Sequence, residues 1–146
     1  MKLKLTNLLL FTTLLLSAQN LEEYRWKNRL IVITDYSADA SSLAKQLALL
    51  NQDNSGLKER KLLIYQVTNK GTYQGVDVPK EWENAILLPS MIKRKSKQSP
   101  FSVYLIGLDG GIKMEKDSLV SLTTIFSLID GMPMRRAELK KGIKRG

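Results

Sequence analysis

The run RLIVIT, residues 29–34, is followed within five residues by Asp35, Tyr36, Ser37 and Asp39. Two carboxyls, a phenol and a hydroxyl this close together could move protons, because Asp and Tyr serve as general acids or bases once a fold tunes them. The same groups follow the end of a strand, where open α/β sheets place their ligands. A structural role competes. Short polar side chains shape turns and cap helices, and two carboxylates repel the anions that a helix N-terminus attracts. Capping fits the spacing better, with Asp39 as helix N-cap, Ser41 beside it and Asp35 shaping the turn.

Much other chemistry is excluded outright. The 146 residues contain no cysteine and no histidine. A Ser-His-Asp triad and a Cys-His pair are impossible. Zinc, copper and haem sites lose their usual ligands, and thiol–disulfide exchange cannot occur. No D-x-[DN]-x-[DN]-G calcium loop is present, so no metal or cofactor is expected. No residue is assigned a catalytic role, and an enzyme is the less favoured reading.

Three further stretches carry chemical types. LDGG, 108–111, is too short for a phosphate loop, lacks GK[ST] and fits a hairpin. KRKSK places Lys93, Arg94, Lys95 and Lys97 together, and with Arg135 and Arg136 these form a candidate anion-binding surface. No aromatic interleaves with KRKSK, which argues against stacking of single-stranded nucleic acid. MPMRR, 132–136, reads as a structural C-terminal clamp; the alternative is that Arg135 and Arg136 pair with Asp130 or Asp117. The carboxylate pairs at 22–23 and in EWE, 81–83, read as surface.

Several elements must position these groups. RLIVIT is a continuous β-branched and apolar run, the pattern of a strand buried on both faces. Leu43, Leu47 and Leu50, with Ala44 and Ala48 beside them, give helical spacing over about 40–51, and NQDNSG ends it. RKLLIYQVT, 60–68, is a second buried strand, so the pair forms a parallel βαβ unit. Residues 69–79 read as loop, 80–88 as one or two helical turns, and 89–97 as a short helix that Pro89 starts at its first position. FSVYLIGL, 101–108, is a strand, Asp109-Gly110 a hairpin turn and GIKMEKD the antiparallel return. A helix over about 119–130 presents Leu122, Ile125, Phe126 and Ile129 on one face. Gly131 stops it, Pro133 bars its resumption, and the basic tail after it frays. β-α-β, connector, β-β-α is the order of the thioredoxin fold: an α/β protein with a central mixed sheet flanked by helices. Pro100 stands where that fold places a cis-proline before its third strand.

The N-terminus has the layout of a secretory signal: Lys2 and Lys4, then the apolar run Leu8–Leu16, then SAQ. Nine apolar residues are too few to span a bilayer, which takes about 20 in a helix. Cleavage near Ala18 is expected, giving a periplasmic or extracellular protein with no transmembrane segment. It removes two of the 23 basic residues and leaves 21 against 14 acidic, a net charge of +7. Such a charge favours anionic partners, and export argues against nucleic acid. The expected organisation is 1–18 signal peptide, 19–134 thioredoxin-like domain and 135–146 basic tail.

WKNRLIVIT, LAKQLALL, RKLLIYQV, FSVYLIGLDGGIKM and SLIDGMPMRR, spread from Trp26 to Arg136, resemble the domain-of-unknown-function family 4174. That family is a thioredoxin-like, peroxiredoxin-like domain of bacterial exported proteins and vertebrate extracellular sushi-repeat proteins. The resemblance implies a thioredoxin-like fold without thioredoxin chemistry and carries over no catalytic residue. Together these observations favour a non-catalytic binding module for a protein or anionic polymer of the cell envelope. The alternatives are a cysteine-independent enzyme at the Asp35–Asp39 turn and an electrostatic binder of anionic glycan or lipid.

Overall fold

The computed structural model describes residues 21–77, 79, 81, 92 and 98–143. After a 3-10 turn at Leu21–Tyr24 come strand β1, Arg29–Asp35, helix α1, Ser41–Leu50, and helix α2, Asn54–Glu59. Strands β2, Leu62–Thr68, and β3, Gly71–Gln74, follow. Beyond the connector lie β4, Phe101–Ile106, β5, Ile112–Lys116, helix α3, Leu122–Asp130, and helix α4, Pro133–Ile143.

The sheet runs β3-β2-β1-β4-β5. β1 pairs in parallel with β2 and antiparallel with β4, and β4 pairs antiparallel with β5. This is the β-α-β then β-β-α arrangement of a thioredoxin-like α/β fold, with one further strand at the β2 edge.

Every residue of β1 is buried, as its unbroken apolar run demands. Ile31 and Ile33 point into a core with Leu43, Leu47 and Leu50 of α1, Leu57 of α2, and Ile125 and Ile129 of α3. Leu30 and Val32 point to the other face, where Tyr65, Tyr104, Ile106 and Ile92 gather. Alternate residues of one strand thus serve two cores. The buried Gln46 of α1 donates to the Val120 carbonyl at 2.9 Å and accepts from its amide at 2.8 Å, fixing the approach to α3.

Two expectations are corrected. Residues 71–74 are a strand. Asn69-Lys70 makes a tight turn, Gly71 takes a φ of 136° that suits glycine, and Thr72 and Tyr73 are good strand formers. α1 ends at Leu50, where NQDNSG begins, as expected, and a further helix follows at once. Asp53 accepts from the Gly56 amide at 2.8 Å and starts α2. Pro133 opens α4 rather than barring it, because the first helical position needs no N–H, so residues 133–143 are helical and not a frayed tail. The Ser99–Pro100 bond, whose isomer the sequence leaves open, is trans. The predicted signal peptide, the helical turns over 82–91 and the KRKSK cluster lie outside the described residues.

α2 sits so close to α3 that Gly56 has no room for a side chain. A Cβ there would lie 2.6 Å from Cε2 of Phe126 and 2.8 Å from its Cζ. The same ring carries the Arg60 guanidinium 4.0 Å from its centroid, so it is held on both sides. Alanine ordinarily gains about 1 kcal/mol over glycine in a helix. Gly56→Ala is expected to reverse that sign and lose about 1–2 kcal/mol through overpacking, read by urea denaturation.

Candidate functional site

The residues of the turn after β1 do not converge. Asp35 is 0% exposed. One carboxylate oxygen accepts from the Ser37 amide at 3.0 Å and from the Ser37 hydroxyl, and the other accepts from the Leu43 amide at 3.0 Å. Leu43 is the third residue of α1, so Asp35 satisfies an N–H that a helix start leaves unpaired. That is the N-cap's task, performed from the strand. The residue at the N-cap position is Ala40, in left-handed geometry and with no side chain able to bond. The expectation that Asp39 caps the helix is therefore corrected. Asp39 is exposed and accepts from the Ser41 amide at 3.3 Å, one position short of a capping bond. Tyr36 packs against the opposite core, while its amide donates to the Pro100 carbonyl at 2.7 Å. Asp35 and Tyr36 thus face opposite sides of the sheet, and Asp35 has its acceptors filled from within. The turn is built as a cap.

The basic residues divide in the same way. Arg135 is buried and bonds Asp130 at 3.3 Å, the Glu59 carboxylate and carbonyl, and Glu138 at 3.5 Å. Arg60 meets Asp130 at 2.7 Å, and Arg29 meets Glu138 at 3.3 Å. These pairs lock α4 onto α2, α3 and the start of β1. Arg136 turns both its Nε and Nη2 to the Gly131 carbonyl, at 3.1 and 2.6 Å, closing the end of α3. MPMRR does clamp the C-terminal helix; Arg135 pairs with Asp130, one of the two acids offered for it, whereas Arg136 takes the Gly131 carbonyl in place of Asp130 or Asp117. The position of Lys93, Arg94, Lys95 and Lys97 is not among the described residues.

The Arg60 hydrogen bond is the main cause that lowers the Asp130 pKa, against some desolvation. A carboxyl whose folded pKa lies below its unfolded value contributes stability above the unfolded pKa and loses it as pH falls through the folded one. The thermal midpoint is therefore expected to drop below about pH 4, near the unfolded value for Asp. Asp130→Asn should lower the midpoint at neutral pH and flatten its acid limb, measured by circular dichroism melts across pH 2–7 as a rough working range.

LDGG forms the hairpin turn. The Gly107 amide donates to the Gly111 carbonyl at 2.9 Å, and Gly110 takes a φ of 80°. Between this turn and the α3–α4 junction lies a cavity of about 310 Å³ lined by Arg29, Gly107, Leu108, Asp109, Lys113 and Met132–Met134. Lys113 and Asp109 form an ion pair at 2.6 Å on its wall, and that hydrogen bond is the first cause of the lowered Asp109 pKa. Beside the hairpin, Trp26 donates its amide to the Leu108 carbonyl and leaves its side chain 60% exposed. Sequence reasoning misses this cavity. Nothing local to Arg29 signals it, because only the packing of α4 over the start of β1 makes that arginine a wall.

Among the described residues no group of His, Cys, Asp and Glu side chains could hold a metal ion, and no helix is long and apolar enough to cross a membrane. No solved structure matches the chain. A family model described as Domain of unknown function (DUF4174) matches residues 20–138, which takes in the whole sheet, α1 to α3, the clamp and the cavity. By that match, the chain belongs to this family.

Proposed function

We propose that the chain is an exported, non-catalytic thioredoxin-like module that works by binding a partner in the cell envelope. The observation that carries this reading is the state of Asp35. The turn where redox members of the fold keep their thiols has no thiol here, and its one buried carboxylate is consumed by three internal donors. The cavity supports the reading from the other end of β1. Arg29 and Asp35 open and close a seven-residue strand, roughly 20 Å apart at about 3.3 Å per residue. The order of Lys2, Lys4 and the apolar run Leu8–Leu16 supports export, with the chain from residue 19 onward as the working form.

The test is capture from the native cell envelope by the C-terminally tagged protein at low and at high salt. A stoichiometric protein retained at both is the expected result. Capture confined to low salt overturns it in favour of charge-driven adhesion to an anionic polymer, since exposed charges are screened over about 8–10 Å near physiological strength.

A further inference from the structure

We propose that the cavity beside Arg29 binds a carboxylate carried on a short apolar body, with the Arg29 guanidinium receiving the head group. This rests on the binding-module reading and names the chemistry of its ligand.

Arg29 is 1% exposed. Its Nη1 donates to the Arg60 carbonyl at 2.9 Å and to Glu138 at 3.3 Å. Its Nε and Nη2 are buried with no hydrogen-bond partner among the described residues. Buried donors are nearly always satisfied, and those of a cation are the costliest to leave empty. By covalent geometry Nε–H and Nη2–H lie along one edge of the guanidinium and run parallel. That edge is the fork that grips the two oxygens of a carboxylate.

The surroundings select the rest of the ligand. Leu108, Met132, Pro133 and Met134 give the cavity an apolar wall suited to a hydrocarbon body. Its volume is at the small end for ligand sites. α4 begins at Pro133, so the positive end of an eleven-residue helix lies at the same wall. The charges favour a monoanion. Glu138 already offsets part of the Arg29 charge, and Asp109 is a second carboxylate at the wall, so a phosphate dianion meets repulsion that a carboxylate largely escapes. Met132 and Met134 are unbranched and adaptable, and their movement admits the head group to the sealed edge.

The experiment titrates the isotope-labelled protein, purified as the cell processes it, with octanoate, octan-1-ol and inorganic phosphate, following backbone amides by NMR. Octanoate is expected to shift residues 107–113 and 132–134 saturably (Pro133, without an amide, aside), and the alcohol and phosphate to leave them unmoved. Arg29→Lys keeps the charge and loses the fork. Met134→Trp fills the cavity from a half-exposed position and tests the site even if the Arg29 variant does not fold. Each is expected to weaken octanoate about tenfold or more. A tripeptide ending in leucine, with free or amidated C-terminus, separates the two sources of such a group. Binding of the free form alone assigns a chain terminus, and binding of octanoate alone a free acid. Absence of shifts at the cavity, octan-1-ol or phosphate binding as tightly, or unchanged binding in both variants would overturn the proposal. A protein that retains an envelope partner but ignores all carboxylate probes loses this inference and keeps the module reading. One that binds octanoate and captures nothing loses the envelope partner alone.

Discussion

Asp35→Ala is expected to cost about 3 kcal/mol of stability, the sum of a lost helix cap and a buried amide left without an acceptor. Leu43 N–H and Ser37 N–H both point at the carboxylate, and Asp35 is fully enclosed, so water cannot replace it in place. Asp35→Asn should cost less, since it keeps one acceptor and loses the other to an NH2 group that faces a donor. Guanidinium chloride denaturation gives the size of the loss. Hydrogen exchange at Leu43 gives its location, because the first turn of α1 should open before the rest of the domain. A catalytic carboxylate behaves otherwise: its removal leaves stability nearly unchanged and costs about 10²–10⁴-fold in rate. The two roles therefore separate in a single variant.

Arg135→Leu is expected to lose about 2–3 kcal/mol and to release α4. Removing one partner of a buried ion pair costs about 3–5 kcal/mol. Here the value is lower because Glu59 and Asp130 are substantially solvated, with side-chain exposures of 60% and 38%. The leucine fills part of the volume and none of the bonds, leaving Asp130 to Arg60 alone and the Glu59 carbonyl without its donor. The thermal midpoint should fall on the order of 10 °C. Far-ultraviolet circular dichroism should lose the signal of one helix before the main transition. Arg136→Leu is the control. Arg136 is exposed and bonds only the Gly131 carbonyl among the contacts described, so its loss should stay near 0.5 kcal/mol, as is usual for surface positions. Equal effects of the two substitutions would mean that the clamp is not what holds α4.

The contrast between α1 and α4 explains what could be read from residues alone. β1, β2, β4 and α1 are legible because burial dictates their patterns: Leu30 to Ile33 must be apolar on both faces, and Leu43, Leu47 and Leu50 must share one side. α4 has no such stripe. Its one buried residue is Arg135, whose partner Glu59 lies 76 positions earlier, and no local window reports that pairing. β3 is short and at an edge, with Gly71 as its only strong signal. The turn after β1 is legible in kind and not in detail. A cap is the right reading, but the acceptor is Asp35, eight residues from the amide it serves, because Ala40 stands at the N-cap position. The cavity is the least legible feature of all. It exists because a strand-opening arginine, a hairpin and a helix start meet in space.

In the proposed reading this fold acts by binding, with its thiol-free turn reduced to a structural part. Capture from the cell envelope at high salt, run side by side with the wild-type protein and a Tyr36→Ala/Asp39→Asn variant, tests it most directly. Neither substitution touches the Asp35 cap, so the variant should fold. Retention of the same stoichiometric partner by both proteins is the predicted result. Loss of that partner in the variant alone would contradict it and return the turn to the status of a site.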